Sequence, residues 1–281
     1  MIKVLKSGFY TTIQDKGRVG FASLGVPVSG AMDSYSSDLA NRILNNSLNC
    51  ALLEITLGGC KFQFLSKTTI CISGGDFSPK MNNQPILLNS KILIQENDIL
   101  SFGKVNFGVR CYLAVKGGIQ SDKKLGSRSS FKNITNNFLI KSGDCLPISN
   151  LKTTLESSKT LVKVNKNHFE YKGIECFKGP EFDTLDMHQK KTLFETEFSI
   201  SKDINRMGYK LNETVENNIP SILTSAVLPG TVQLTPSGKL IVLMRDCQVT
   251  GGYPRVLQVS EESINRLSQK TTGDKIQFVL K

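Results

Sequence analysis

The sequence predicts a mainly β protein of two domains, built as barrels or sandwiches with a few short helices. Short runs rich in β-branched residues recur along the chain, separated by Gly, Asn, Asp or Pro. The polar stretch 149–159 divides the chain, which predicts domains at 1–150 and 160–281. A strand-like run ends in SGGDF from Ser73, and TGGYP from Thr250 follows another such run, an echo that allows two similar barrels.

The predicted strands are short and evenly distributed, as in barrels and sandwiches. In the first half they cover residues 1–6, 51–57, 68–73, 91–94, 99–102 and 110–115. In the second half they cover residues 161–164, 174–177, 196–201, 231–235, 240–244, 255–259 and 275–280.

Three helices are predicted, over residues 34–45, 182–194 and 260–269. Apolar residues of the first recur at i,i+4 spacing, which indicates one buried face. Asp33 and Ser260 stand immediately before two of these helices and are natural N-caps. The helices are therefore expected to be short additions to a fold made of strands.

Composition and charge exclude several classes of partner. The formal net charge is +11, but the 27 lysines and 8 arginines are scattered along the chain, with no run of five or six basic residues. Aromatic residues make up 7% and Trp is absent, which argues against a base-stacking surface for nucleic acid. No apolar stretch has the length needed to cross a bilayer, and Met1 does not begin a signal peptide. We therefore expect a cytoplasmic protein that binds neither nucleic acid nor membrane.

Cysteine and histidine carry no recognisable motif. The seven cysteines are dispersed without a C-x-x-C pair, which is typical of free buried thiols in a reducing compartment. His168 and His188 are the only histidines and are interpreted as lone surface residues. No metal site is expected, and a Ser-His-Asp triad is disfavoured. Glycine loops of the P-loop and dinucleotide types are absent, as is a Met-Lys-Met tripeptide, so the chain should carry no attached biotin.

The first candidate motif covers residues 14–33, a glycine-rich stretch with almost no apolar periodicity. Backbone N–H groups of such a loop can approach a bound anion closely. Arg18 suits a carboxylate, and Asp15 and Asp33 could polarise or deprotonate a reacting group. The alternative is a structural loop in which Asp33 merely caps the following helix, and spacing does not decide between the two.

The second and third motifs cover residues 116–130 and 205–209. Arg128 lies between hydroxyl residues in the second, and Arg206 and Met207 precede a glycine in the third. Both could be binding loops. Spacing alone favours a hairpin-like connection for the second motif, and the third also suits an ordinary turn.

The fourth motif, residues 245–255, is the strongest local signal. It combines an acid, an amide, a hydroxyl, two glycines, a phenol and two arginines between two apolar strands. Such a density of polar groups is what a small-molecule site needs. The pattern alone does not name a reaction.

Together these segments resemble the biotin-dependent carboxyltransferase-like family. The family includes the second subunit of allophanate hydrolase, the carboxyltransferase part of urea carboxylase, KipA and the C-type subunit of ATP-dependent 5-oxoprolinase. The residues that carry the resemblance span most of the chain in the family order: QDKGRVGFASLGVPVSGAMD from Gln14, GGIQSDKKLGSRSS from Gly117, FKGPEFDTL from Phe177, NRMGYKL from Asn205 and TGGYPRVLQV from Thr250.

The resemblance implies a fold of two tandem cyclophilin-like β-barrel domains. A chain of this length has no room for a biotin carboxylase or carrier domain, which favours the C-type subunit of 5-oxoprolinase. The implied reaction is the opening of 5-oxo-L-proline, a small anionic substrate, to L-glutamate. ATP would act in the complex, and the implied partners are the A-type and the KipI-like B-type subunits of 5-oxoprolinase.

Two further functions remain open within the family. One is carboxyl transfer from a carboxybiotin carried by another protein, as in an allophanate hydrolase subunit 2-like enzyme. The other is a non-catalytic, KipA-like regulator that binds a KipI-like kinase inhibitor.

The motifs and the resemblance together nominate the site residues. Backbone N–H groups of two of these residues, Gly251 and Gly252, are candidate oxyanion donors. The catalytic candidates are Asp15, Asp33, Asp246 and Tyr253. The substrate-binding candidates are Gln14, Arg18, Gly30, Met32, Arg128, Arg206, Met207, Gln248, Thr250, Gly251, Gly252 and Arg255.

Three positions depart from the family pattern. Glu181 stands where His is common, Asn205 where Asp is usual before Arg-Met-Gly, and Arg255 where Lys is common. An imidazole base, a carboxylate and a neutral amine are thereby lost, which argues against proton transfer at these positions.

Overall fold

The structure is a computed structural model that describes residues 1–149 and 161–281. The chain forms two compact units. Unit 1 comprises Met1–Arg18 and Ser29–Phe169, and unit 2 comprises Val19–Val28 and Glu170–Lys281. All but the first residue of the predicted linker 149–159 lies outside the described residues, and the predicted domain bounds stay a prediction.

Unit 1 is built from two sheets around one core. Its strands are β1 (Ile2–Ser7), β2 (Tyr10–Gln14), β3 (Leu52–Thr56), β4 (Cys60–Phe64), β5 (Thr68–Asp76), β6 (Lys80–Met81), β7 (Gln84–Pro85), β8 (Ile92–Ile94), β9 (Ile99–Ser101), β10 (Phe107–Val115) and β11 (Cys145–Leu146). One sheet has the order β11-β1-β4-β9-β6-β7 and the other the order β2-β3-β10-β5-β8. Apolar side chains of both sheets, such as Phe62 of β4 and Leu113 of β10, share one buried cluster.

The helix α1 (Ser34–Ile43) covers the second of these sheets. Its buried face includes Ala40 and Ile43, which join a cluster with Cys71 of β5 and Tyr112 of β10. A short helix, α2 (Asn167–Glu170), lies at the end of unit 1.

Unit 2 contains a closed barrel. Its strands are β12 (Gly173–Lys178), β13 (Phe198–Ile204), β14 (Gly208–Thr214), β15 (Ser225–Ala226), β16 (Thr231–Leu234), β17 (Lys239–Leu243), β18 (Thr250–Gly251), β19 (Arg255–Val259) and β20 (Lys275–Leu280). The barrel runs β12-β19-β16-β17-β14-β13-β20 and is antiparallel except where β20 pairs with β12. Strands β15 and β18 form a separate ladder. Helices α3 (Met187–Glu195) and α4 (Glu261–Ser268) complete the unit.

The mainly β fold with few short helices is confirmed. Helices 34–45 and 260–269 are confirmed with their caps, because Asp33 and Ser260 accept hydrogen bonds from the N–H groups of Ser36 and Ser263. The predicted helix 182–194 is interrupted. Phe182–Thr184 form a 3₁₀ turn. The helix α3 begins only after Asp186, which forms a capping box with Gln189.

One predicted strand is wrong. Of residues 161–164, only Leu161 forms an isolated bridge, with Ser90. Conversely, strands β2, β4 and β14 were not predicted. No helix in the described part of the chain is long and apolar enough to cross a membrane.

Gly230 is a tight point of the barrel between β16 and β19. Its φ is +88°, and a Cβ there would lie 2.7 Å from the carbonyl oxygen of Val259. Gly273 has nearly the same φ, +87°, but open space around the Cβ position. Comparing substitutions at these two glycines therefore separates the cost of backbone strain from the cost of steric overlap.

We predict that Gly230→Ala destabilises the chain more than Gly273→Ala. The left-handed conformation alone costs roughly 1–2 kcal/mol for Ala, whereas the overlap at Gly230 adds roughly 1–3 kcal/mol because backbone must move. Urea denaturation of both variants measures the difference. Equal midpoints would contradict the close approach at Gly230.

Candidate functional site

Asp15 joins the first two predicted motifs. Its carboxylate accepts hydrogen bonds from the N–H of Gly17 at 2.8 Å and the hydroxyls of Ser127 at 2.6 Å and Ser129 at 2.7 Å. The N–H of Arg128 donates to its other oxygen at 2.6 Å. Because the Asp15 carboxylate accepts hydrogen bonds from four groups within the chain, it holds the two loops together.

Arg18, the predicted carboxylate clamp, is only 2% exposed. Its guanidinium donates to the hydroxyl of Ser29 at 3.3 Å and to the backbone carbonyl of Ser129. Gly30 packs beside it with a φ of +91°, where a Cβ would lie 3.2 Å from the carbonyl oxygen of Asp15. Arg18 and Gly30 thus fix the course of the loop in unit 1.

The remaining unit 1 candidates fall into two environments. Gln14 and Met32 are buried, and Gln14 donates to the Thr12 hydroxyl at 3.0 Å. Arg128 is half-buried and donates to the side chain of Gln120 at 2.9 Å and to the Ser121 carbonyl. It lines a cavity of about 420 Å³ in unit 1.

Asp33 belongs to a buried polar network. Besides capping α1, it lies 2.8 Å from Nε2 of His168, and both side chains are at most 5% exposed. Its backbone N–H donates to the Tyr112 hydroxyl at 2.8 Å, and that hydroxyl donates to Glu54 at 3.0 Å. Glu54 also accepts the N–H of Met32 at 2.7 Å.

This network corrects the interpretation of His168 as a lone surface residue. Sequence separation hid the pair, since Asp33 and His168 are 135 residues apart. Burial raises the pKa of Tyr112 well above its ordinary value, and the carboxylates of Glu54 and Asp33 raise it further. The Tyr112 phenol therefore stays protonated and serves as a hydrogen-bond donor.

In unit 2, Arg206 and Asp246 form a buried ion pair. Nε and one terminal nitrogen of the guanidinium donate to the two carboxylate oxygens, at 2.7 and 3.1 Å. The N–H of Asp246 donates in turn to the carbonyl of Arg206 at 2.8 Å. This two-point contact satisfies much of both charges and joins the third motif to the fourth.

Glu181 and Arg255, two of the departures from the family pattern, bind each other. The guanidinium donates to both Glu181 oxygens at 2.7 and 2.9 Å, and the Arg255 N–H donates to Glu181 at 2.8 Å. The Arg255 hydrogen bond holds the pKa of Glu181 below its ordinary value of 4.5, and Glu181 raises the pKa of Arg255. The two side chains therefore form a fixed ion pair at neutral pH.

Three other candidates border a cleft of about 310 Å³ on unit 2. Met207, Gln248 and Tyr253 line it and are all exposed, Tyr253 to 40%. Asn205 also lines the cleft, and its side chain accepts the N–H groups of Met207 and Gly208 to form the turn. The cleft thus brings together side chains of the third and fourth motifs.

The glycine pair of the fourth motif supports this cleft from β18. Thr250 and Gly251 pair with Ala226 and Ser225, and the carbonyl of Gly252 accepts the N–H of Ile222 at 2.9 Å. Thr250 is exposed. The ladder fixes the backbone that precedes Tyr253.

A larger cavity of about 640 Å³ also lies in unit 2 and is lined by carboxylates. Glu181 is held by Arg255 there, and Asp186 caps α3. Because Glu181 and Asp186 are engaged within the chain, and because the smaller cleft joins two of the predicted motifs, the smaller cleft is the better candidate site. No group of three or more His, Cys, Asp or Glu suited to a metal ion occurs in residues 1–149 and 161–281.

Most of the cysteines are poor candidates for reactive thiols. Five of the seven are buried, and all seven are free. Burial raises the pKa of Cys60, Cys71, Cys176 and Cys247 to about 12. These four thiols are therefore protonated at neutral pH and poor nucleophiles.

The sequence analysis did not identify His168, Glu54 and Tyr112, which belong to the buried network around Asp33, or Gln233, which lines the unit 2 cleft. The last three lie in strand-like runs with apolar neighbours, and a polar residue at a buried strand position is a signal that could have marked them.

Known proteins resemble this chain over nearly its whole length. The family model described as carboxyltransferase domain, subdomain A and B, matches residues 24–280. The C-type subunit of 5-oxoprolinase from Escherichia coli (strain K12) is 32% identical over 99% of this chain and 91% of that protein. Urea amidolyase of Lachancea kluyveri is 32% identical over 99% of this chain, which covers 17% of that protein. The crystal structure of K. lactis urea amidolyase has a TM-score of 0.87 and 30% identity over 99% of this chain and 18% of its own.

We predict that His168→Phe lowers the free energy of unfolding by roughly 3 kcal/mol, because it leaves the buried Asp33 carboxylate without its imidazole partner. The matched control is His188→Phe, since His188 is exposed on α3. Chemical denaturation measures both. A change as small in His168→Phe as in the control would rule out a stabilising role for the pair.

We predict that Glu181→Gln destabilises the chain by roughly 1 kcal/mol at pH 7. The pKa of Glu181 is lowered in the folded chain, so its ionised form adds stability above pH 4.5, and this is lost as the pH falls through the folded pKa. The difference in Tm between wild type and variant should therefore shrink in acid. The control is Glu195→Gln, because Glu195 is exposed and lies 3.8 Å from the equally exposed Lys191. A difference that persists unchanged in acid would refute the ion-pair explanation.

Proposed function

This chain belongs to the carboxyltransferase domain, subdomain A and B, family, and on that premise we propose that it is the C-type subunit of an ATP-dependent 5-oxoprolinase. The enzyme opens 5-oxo-L-proline to L-glutamate, and the chain acts together with the A-type and KipI-like B-type subunits. The main support for this proposal is the similarity to the C-type subunit of the Escherichia coli 5-oxoprolinase. This similarity extends over nearly all of both chains.

The chemistry requires activation of an unreactive amide. A lactam carbonyl is a poor electrophile, so ATP would transfer its γ-phosphoryl group to the lactam oxygen with release of ADP. Water would then attack the ring carbon and the ring C–N bond would break to give an acyl phosphate with a free amino group. A second water would release phosphate and leave glutamate. Donors aimed at the lactam oxygen stabilise the developing negative charge. ATP binds in the assembled complex, which works in the cytoplasm.

The geometry of unit 2 supports the substrate-binding part of this proposal. Tyr253 and Gln248 offer a phenol and an amide to the cleft, and Met207 supplies apolar contact. A cleft of about 310 Å³ is at the lower end of the usual range for small-molecule sites. We assign substrate contact to these residues and to the exposed hydroxyl of Thr250.

The charged candidates have a supporting role in this proposal. Asp15, Arg18 and Asp33 hold the loops of unit 1, while Arg206 with Asp246 fixes the loops beside the unit 2 cleft. Arg255 is held by Glu181. Positioning residues of this kind keep binding groups in place, and their loss costs activity through misplacement.

Carboxyl transfer is the second candidate function. It is favoured by the description of the family model and by the similarity to urea amidolyase. It requires a carboxybiotin carried on another protein. Inhibition of the activity by avidin distinguishes it from oxoprolinase activity, which needs no biotin.

We predict that glutamate forms from 5-oxo-L-proline and ATP only when this chain and the A-type and B-type subunits are all present. Each protein is purified separately, mixed, and omitted in turn, and glutamate and ADP are measured. Glutamate formation at an undiminished rate without this chain would exclude the proposed role. Avidin-sensitive consumption of bicarbonate would instead favour carboxyl transfer.

A further inference from the structure

Gln233 of β16 has a buried side-chain amide whose nitrogen is not hydrogen-bonded within the fold. It is 2% exposed, and its Nε2 has no hydrogen-bond partner among the described residues. A buried amide group without a partner costs free energy, so each case calls for an explanation. Gln233 is also one of the residues that line the unit 2 cleft.

The strand places Gln233 on the outer face of the barrel. Its neighbours Val232 and Leu234 point to the opposite face, because side chains alternate along a strand. Gln233 pairs across one ladder with Ile241, which with Leu243 also lines the cleft, and across the other ladder with Arg255. The charge of Arg255 is paired with Glu181. The amide therefore lies at the base of the cleft between apolar side chains and an arginine that is already paired.

Gly251 permits this position of the amide. A Cβ on Gly251 would lie 2.4 Å from Nε2 of Gln233, so a larger residue at this position of β18 would displace the amide. The glycine of the fourth motif thus serves the buried amide as well as the ladder with β15.

The lining of the cleft is electrically balanced. Asp203 and Lys210 are its charged members and pair with each other at 3.6 Å. The base offers an amide beside apolar side chains and the paired Arg255, which matches an uncharged polar group better than an ion. A carboxamide has both an N–H donor and a carbonyl acceptor.

We propose that Gln233 recognises the amide of a small lactam. In a five-membered lactam the N–H and C=O point to the same side, so they can pair with a carboxamide through two parallel hydrogen bonds. In the free chain Nε2 is closed off beside Gly251, so binding requires the carboxamide to turn toward the cleft. Its N–H then donates to the lactam oxygen, and the lactam N–H donates to the Gln233 oxygen. Tyr253 and Met207 flank the ring. Gln233 is thus a specificity-determining residue, and the identity of the lactam as 5-oxo-L-proline rests on the proposed function.

The barrel supplies a matched control in Gln258 of β19. Its amide is fully engaged, since it accepts from the Thr231 hydroxyl at 2.9 Å and donates to the Pro229 carbonyl at 2.8 Å. Gln258→Leu should therefore lower Tm and leave lactam binding unchanged. Gln233→Leu removes an unpartnered amide, so it should leave Tm unchanged or higher and weaken binding.

The test uses the full-length chain and measures binding by calorimetry and ligand-observed NMR. The probes are 5-oxo-L-proline, 2-pyrrolidinone and N-methyl-2-pyrrolidinone. Wild type should bind 2-pyrrolidinone about tenfold more tightly than the N-methyl compound, the scale of one to two hydrogen bonds. Gln233→Leu should bind the two lactams equally. Wild type that binds no lactam, or a Gln233→Leu variant that keeps the discrimination, would overturn the proposal.

The outcome is separable from the proposed function. If lactams bind through Gln233 while the reconstituted complex releases no glutamate, the recognition stands and the oxoprolinase assignment fails. If the complex turns over 5-oxo-L-proline with the same KM in Gln233→Leu as in wild type, the oxoprolinase assignment stands and the recognition fails.

Discussion

A charge withdrawn from water must be met by an opposite charge or by hydrogen bonds, and this constraint organises both units. The Asp15 carboxylate takes four donors, and Asp33 takes a buried imidazole and its helix cap. Arg206 and Arg255 each bind one carboxylate through two nitrogens. These side chains determine where the loops lie.

The sequence could predict what is decided locally. The caps of α1 and α4 lie next to the turns they satisfy, so Asp33 and Ser260 were identified correctly. Strand β19 was predicted with its observed bounds, because its apolar run is flanked by turn residues. Strand β14 was missed since Gly208 was interpreted as part of a loop, whereas Asn205 closes a tight turn just before it.

What could not be predicted depends on pairing between distant segments. The partners of Arg206 and Arg255 lie 40 and 74 residues away, and no local pattern fixes such a distance. The same holds for strands, since residues 161–164 are apolar enough for a strand but only Leu161 meets a neighbour, at Ser90. The site residues could be nominated by type and motif, but their partners, and hence their roles, required the fold.

The unit 2 cleft combines a buried amide at its base with a solvent-accessible ion pair, Asp203 with Lys210. Arg206 and Asp246 are both buried, so separating them would leave two buried charges without partners. Lys210 and Asp203 are 41% and 60% exposed and 3.6 Å apart, so their attraction is screened by water and costs little to break. A substrate with a neutral lactam and one carboxylate needs both kinds of group. The Gln233 amide would meet the lactam in the dry base, and the Lys210 ammonium could turn from Asp203 to the carboxylate without leaving a buried charge behind.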